Sequence, residues 1–98
     1  MDLAEEIKKD LPKWVKEGRF KATCKPDPNE PGKYVCKGIL MNEDGKTYTK
    51  GEIIIKVKEE TPGNFIIEPI PSGEKEEEQD PRVQIALLEY FKTFYKIR

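Results

Sequence analysis

The side chains of this chain that could do chemistry are few. There are two cysteines, Cys24 and Cys36, a single serine, Ser72, and no histidine. A thiol nucleophile needs a base to hold it as the thiolate, and without histidine the usual base is missing. A zinc site needs about four ligands, which two cysteines without histidine do not supply. Carboxylates are abundant, but none stands as an isolated acid in an apolar run. Glu52 and Glu68 flank the core strands and read as solvated edge or outer-face groups, because buried unpaired acids are rare. No glycine-rich phosphate loop occurs; Gly32, Gly45 and Gly63 each sit where a turn needs them. No catalytic residue, cofactor-binding residue or metal ligand is therefore assigned, and a non-enzymatic protein without a cofactor is expected.

The cysteines pose a structural question that depends on the elements carrying them. Asp2 can cap a first helix over 3–17, with Glu5 completing a capping box. Leu3, Ile7, Leu11, Trp14 and Val15 recur at helical spacing. Pro12 removes a backbone donor and crowds the preceding turn, so a kink or two short helices is expected, with Asp10 recapping. Gly18 is the stop. Strands follow at about 19–25, 33–41, 47–58 and 65–70. The connections are a proline-stiffened loop over 26–32, Asn42–Gly45 and Glu59–Asn64. Connections this short favour an antiparallel meander. An acidic linker spans 71–80, and Asp80-Pro81 is a cap followed by proline at the first helical position of a second helix, 81–97. The fold class is α+β: a kinked N-terminal helix, a four-stranded meander and a C-terminal helix on one sheet face, in a single α-β4-α domain over 1–98.

Alternation assigns the sheet faces. Phe20, Ala22 and Cys24 point to the core, as do Ile53, Ile55 and Val57, while Glu52, Ile54, Lys56 and Lys58 point away. Strand four places Phe65 and Ile67 opposite Val57 and Ile55. Strand two offers two sets, Val35, Ile39 and Met41 or Tyr34, Cys36 and Leu40. A bulge at Gly45 would favour the first, since one extra residue flips every side chain. If the first hairpin is instead symmetric about Glu30, Cys24 and Cys36 are opposite and on one face, close enough for a disulfide. The absence of a secretion signal favours reduced thiols.

Two surfaces are candidates for contact. Lys21, Lys25, Lys37, Lys56 and Lys58 could form a basic sheet face. Such a face can bind single-stranded nucleic acid when aromatics accompany it, but only Tyr48 is a plausible outward ring in strand three. Lysines on outer or edge strands also guard against aggregation. The second helix carries a core stripe of Val83, Leu87, Tyr90, Phe91 and Phe94, and a further stripe of Ile85, Leu88 and Tyr95. A helix on a sheet needs one apolar face, so the extra stripe serves either the first helix or a partner.

The 98-residue chain is 38% charged with net charge −1, which excludes the strong basic excess of a general nucleic-acid binder. No apolar run approaches the roughly 20 residues of a membrane span. The N-terminus lacks the basic and apolar blocks of a signal peptide, so a cytoplasmic or recombinant, soluble product is expected. Lysine and glutamate dominate while glutamine and asparagine are scarce, a bias shared by thermostable proteins and de novo designed scaffolds.

The leading helix and four-stranded meander, over about Asp2–Ile70, look like the cystatin-like architecture. Cystatins insert a Gln-Val-Val-Ala-Gly-type hairpin into cysteine proteases. The corresponding turn here reads Met41-Asn-Glu-Asp-Gly-Lys-Thr47, so that motif is absent. NTF2-like folds share helices packed on a curved sheet but are longer. Both analogies concern topology alone. The expected function is a non-catalytic binding or scaffold domain acting through protein–protein contact, with a protein partner or a second copy on the C-terminal helix or a sheet edge. The alternatives are a small-ligand pocket or enzyme between helices and sheet, lined by Trp14, Tyr34 and Tyr90, and single-stranded nucleic-acid binding through the lysine face.

Overall fold

Two aspartates start the two helices. In the computed structural model, which describes residues 2–71 and 79–95, α1 spans Leu3–Glu17 and α2 spans Pro81–Phe94. The Asp2 carboxylate accepts from the Ala4 N–H at 3.3 Å, and Asp80 accepts from the Arg82 N–H at 2.9 Å. Each satisfies a donor that the first helical turn leaves orphaned. Helix α1 ends on Gly18, which takes φ 76°. The Arg19 N–H then donates to the Trp14 carbonyl and the Gly18 N–H to the Val15 carbonyl, the paired bonds of a Schellman stop.

Pro12 does not divide α1. The helix is continuous through it, over the single span 3–17 and not as two short helices. Ile7 and Leu11 are buried while Pro12 is exposed, so packing on the inner face carries the helix past the local cost of the ring. Helix α2 ends at Phe94, with Tyr95 already extended, rather than at 97; residues 96–98 lie outside the described residues. The acidic stretch with Ser72, Glu74, Glu76, Glu77 and Glu78 also lies outside them.

Between the helices run β1 (Phe20–Pro26), β2 (Lys33–Met41), β3 (Tyr48–Thr61) and β4 (Asn64–Pro71), an antiparallel meander in sheet order β1-β2-β3-β4. The β1–β2 register pairs Phe20 with Leu40 and Cys24 with Cys36, symmetric about Glu30. The β2–β3 register pairs Leu40 with Thr49 and Cys36 with Ile53. Tyr34, Cys36 and Leu40 therefore join the core face, and Val35, Ile39 and Met41 face outward, reversing the assignment based on a Gly45 bulge. Gly45 does adopt φ 69°, and its N–H donates to the Asn42 carbonyl. Asn42 and Thr47 are already hydrogen-bonded, and only Glu43–Lys46 lie between them. An even-numbered loop leaves the parity of the strands unchanged. In β4, Ile67 stands opposite Val57 and Phe65 opposite Glu59, each partner two residues nearer the turn than the spacing suggests, so the face is kept. A shift in register falls between Glu59 and Thr61.

One core unites both helices with the inner sheet face. Phe91, Leu87, Val83, Leu11, Ile55 and Cys36 are fully buried within it. A large apolar side chain buried this way contributes about 1.5–3 kcal/mol. The close approach of α2 depends on two glycines that are register partners, Gly38 and Gly51. A Cβ on Gly38 would lie 2.8 Å from Leu87 Cδ2, and one on Gly51 would lie 3.0 Å from Val83 Cβ. The glycine pair is thus the floor on which Val83 and Leu87 sit.

The start of α2 also finishes the sheet. Among the described residues, strand β4 stops opposite Ile53, and beyond it the backbone groups of β3 at Lys50 and Glu52 that point away from β2 have no strand partner. The Asp80 N–H donates to the Lys50 carbonyl at 3.0 Å, the Glu52 N–H donates to Gln79 Oε1 at 2.6 Å, and Gln84 Nε2 donates to the Glu52 carbonyl. These bonds give the β3 backbone groups protein partners where the strand pairing ends.

Candidate binding face

The register that puts Cys36 inside gathers the lysines outside. On the face turned away from the helices, cross-strand neighbours form rows: Lys21, Ile39 and Lys50; Thr23, Lys37 and Glu52; Lys25, Val35, Ile54 and Ile70; Lys33, Lys56 and Glu68; Lys58 and Ile66. All five lysines singled out by sequence, Lys21, Lys25, Lys37, Lys56 and Lys58, share this surface and are exposed. Val35, Ile54 and Ile70 lie side by side across three strands as a half-buried aliphatic row. Glu52 and Glu68 are the acids within these rows, so the face is basic although the chain carries net charge −1.

Some of this charge is paired. Lys56 lies 3.6 Å from the Glu30 carboxylate and Lys33 lies 3.7 Å from that of Asp27. The Lys56–Glu30 pair is exposed and the Lys33–Asp27 pair half-buried; an exposed pair holds weakly and exchanges readily for another anion. Val35, Ile39, Ile54 and Ile70 were not part of the sequence-based site. For Val35 and Ile39 the missing signal was the register of β2, which turns both outward; Ile54 already read as outward by alternation.

Aromatic groups are scarce on this side. Tyr48 is 58% exposed, opposite Met41 at the end of the sheet. Phe65 and Phe94 are also exposed, on other parts of the surface, and the remaining rings are used inside. Tyr34 packs on Phe91 and Tyr95 with ring centroids 5.1 Å away in each case, and Tyr90 packs on Phe20 and Phe94. Arg19 lies over Trp14 at 5.8 Å. Trp14, Tyr34 and Tyr90, the rings assigned to a pocket lining, thus pack against neighbouring side chains. The second stripe of α2 is also partly used. Ile85, Leu88 and Tyr95 are half-buried and pack against the core, with Tyr95 stacked on Phe91 at 4.8 Å.

Cys24 and Cys36 are joined as a disulfide on the inner face, with Cα atoms 4.1 Å apart. This replaces the expectation of reduced thiols; direct opposition of the two positions brings the sulfurs together. The bond ties β1 to β2 beneath the outer row of Lys25 and Val35.

The groups whose acidity the structure changes are committed to turns and caps. Backbone hydrogen bonds from Thr47 and Lys46, with one from the Thr47 hydroxyl, hold the exposed Asp44 carboxyl below its ordinary value. Burial pushes Asp80 up, but hydrogen bonds from the Arg82 side chain and backbone outweigh it and leave Asp80 lowered. The same ion pair, 3.0 Å long, raises Arg82. Among the described residues, no cluster of His, Cys, Asp or Glu could hold a metal ion, and no helix is long and apolar enough to cross a membrane.

Comparison of the chain with protein-family models, curated proteins and solved structures finds no match.

Proposed function

We propose that this protein is a non-catalytic binding domain that uses its open sheet face to hold an acidic segment of a partner protein. The observation that carries the reading is the row of Val35, Ile54 and Ile70 set among exposed lysines on a sheet whose other face carries both helices. Aliphatic groups offer area to apolar side chains, and surrounding lysines supply attraction and orientation for carboxylates. The commitment of Asp44, Asp80 and Arg82 to local structure supports a non-catalytic role.

Single-stranded nucleic acid is the second reading, favoured by the lysines alone. Base stacking needs aromatic platforms, and the middle of this face offers aliphatic side chains instead. A titration with a short peptide alternating glutamate and valine, run beside an oligouridine of equal charge, separates the two. The protein-binding reading expects the peptide to bind more tightly and Ile54→Glu to abolish its binding. Tighter binding of the oligouridine, or an Ile54→Glu variant that binds the peptide unchanged, would remove it.

A further inference from the structure

The two edges of the sheet are not equivalent. Along β1 the pairs Arg19–Met41 and Asp27–Lys33 are hydrogen-bonded to β2. Hydrogen-bonded pairs alternate with open ones in an antiparallel ladder. The odd-numbered residues of β1 therefore bond to β2, and the N–H groups of Phe20, Ala22 and Cys24 point to the free edge. The same alternation, starting from the bonds Asn42–Thr47 and Gly32–Val57, turns Phe65, Ile67, Pro69 and Pro71 of β4 toward the opposite edge. Two of those four are prolines without a donor, so β4 is closed to strand addition over half its length. Strand β1 presents three consecutive edge donors, with Pro26 blocking only its end.

Charge identifies what this edge would accept. Lys21 and Lys25 flank the edge on the outer face, Lys37 lies one strand inward, and β1 carries no acidic residue. An antiparallel second copy of the chain centred on Thr23 would set lysine against lysine, which like-charge pairing opposes. An extended segment with acidic residues on its outer side would instead place them against Lys21 and Lys25. Its inner side would meet Ala22 and the half-buried Cys24, which suits small apolar residues.

We propose that the edge of β1 receives an extended acidic segment of a partner protein as a fifth strand, by backbone hydrogen bonding to Phe20, Ala22 and Cys24. This rests on the reading of the sheet as an acidic-protein binder and adds an edge contact at β1 to the face contact at Val35, Ile54 and Ile70. Main-chain bonds of the added strand would supply affinity, and lysine contacts would set its polarity and register.

Amide exchange followed by NMR, with the glutamate–valine peptide as probe, tests the inference. Bound peptide should slow exchange at the Phe20, Ala22 and Cys24 amides relative to the free protein. A peptide N-methylated at alternate residues, on the edge that would face β1, should lose binding. Ala22→Pro, which removes a donor unused by the sheet, should weaken the unmodified peptide about fivefold; should that variant fail to fold, the N-methylated peptide still decides. If the peptide shifts Val35 and Ile54 but the edge amides exchange at their free rate and N-methylation has no effect, strand addition is wrong and face binding stands. If no peptide binds at low salt, both fail. Concentration-dependent protection of the same amides without peptide would assign the edge to a second copy and overturn the proposal.

Discussion

Reduction of the Cys24–Cys36 bond should destabilise the fold by an amount set by the loop it closes. The two residues are separated by 12 positions, and closing a loop of that length removes unfolded-chain entropy worth about 2.8 kcal/mol at 25 °C. The paired strands hold both side chains in place whether or not they are bonded, so the reduced fold keeps its register and the loss falls mainly on the unfolded reference. For a domain of this size the expected fall in Tm is roughly 11–22 °C. Thermal and urea unfolding with and without a phosphine reductant measures it, with thiol counting under denaturing conditions to establish each state. Cys36 is 0% exposed, so in the reduced protein it should alkylate only as fast as the fold opens, while half-buried Cys24 reacts sooner. Two free thiols in protein handled without reductant would refute the bonded pair, and a stability change below about 1 kcal/mol would refute the entropic argument.

Other perturbations test the packing and the caps. Gly51→Val should destabilise by about 1–3 kcal/mol in urea unfolding, because the added side chain meets Val83 at its Cβ, which cannot rotate away; a neutral result would mean that α2 does not seat on the glycine pair. Asp80→Ala should cost about 1 kcal/mol through loss of the cap. Because the Asp80 carboxyl is lowered in the folded state, its contribution is present above the ordinary aspartate range and fades as pH falls through the lower folded value. Unfolding followed between about pH 5 and pH 2 should show that limb flattened in Asp80→Asn. Leu88→Glu should cost about 1–3 kcal/mol, since Leu88 packs on the core; a fully stable variant that loses peptide binding would return the contact surface to α2.

Much of the architecture was legible because local signals agreed. Asp80-Pro81 marked the start of α2 to the residue, and the turn chemistry of Asn42–Gly45 and Pro62–Gly63 separated the strands. What local reasoning could not resolve was β2, in which Val35 and Cys36, like Ile39 and Leu40, are adjacent residues of similar apolarity. Their sides are decided by pairing to Ile53 and Thr49, a non-local fact. The same uncertainty concealed part of the candidate site, since the lysines and Ile54 could be read as outward from sequence but Val35 and Ile39 of β2 could not. Pro12 allowed either a kinked helix or two short ones, and burial of Ile7 and Leu11 accompanies a helix that stays in one piece. Gly38 and Gly51 carried a usable signal, as glycines inside strand patterns often mark a close approach of another element.

The most direct test of the central claim is an NMR map of backbone shifts on titrating the glutamate–valine peptide into the oxidised protein at low salt. Binding through the open sheet predicts the largest shifts at Val35, Lys37, Ile54 and Ile70, their loss in Ile54→Glu, and weakening of affinity as salt rises. A shift pattern centred on Ile85 and Leu88 of α2, or an unchanged spectrum throughout the titration, would contradict it.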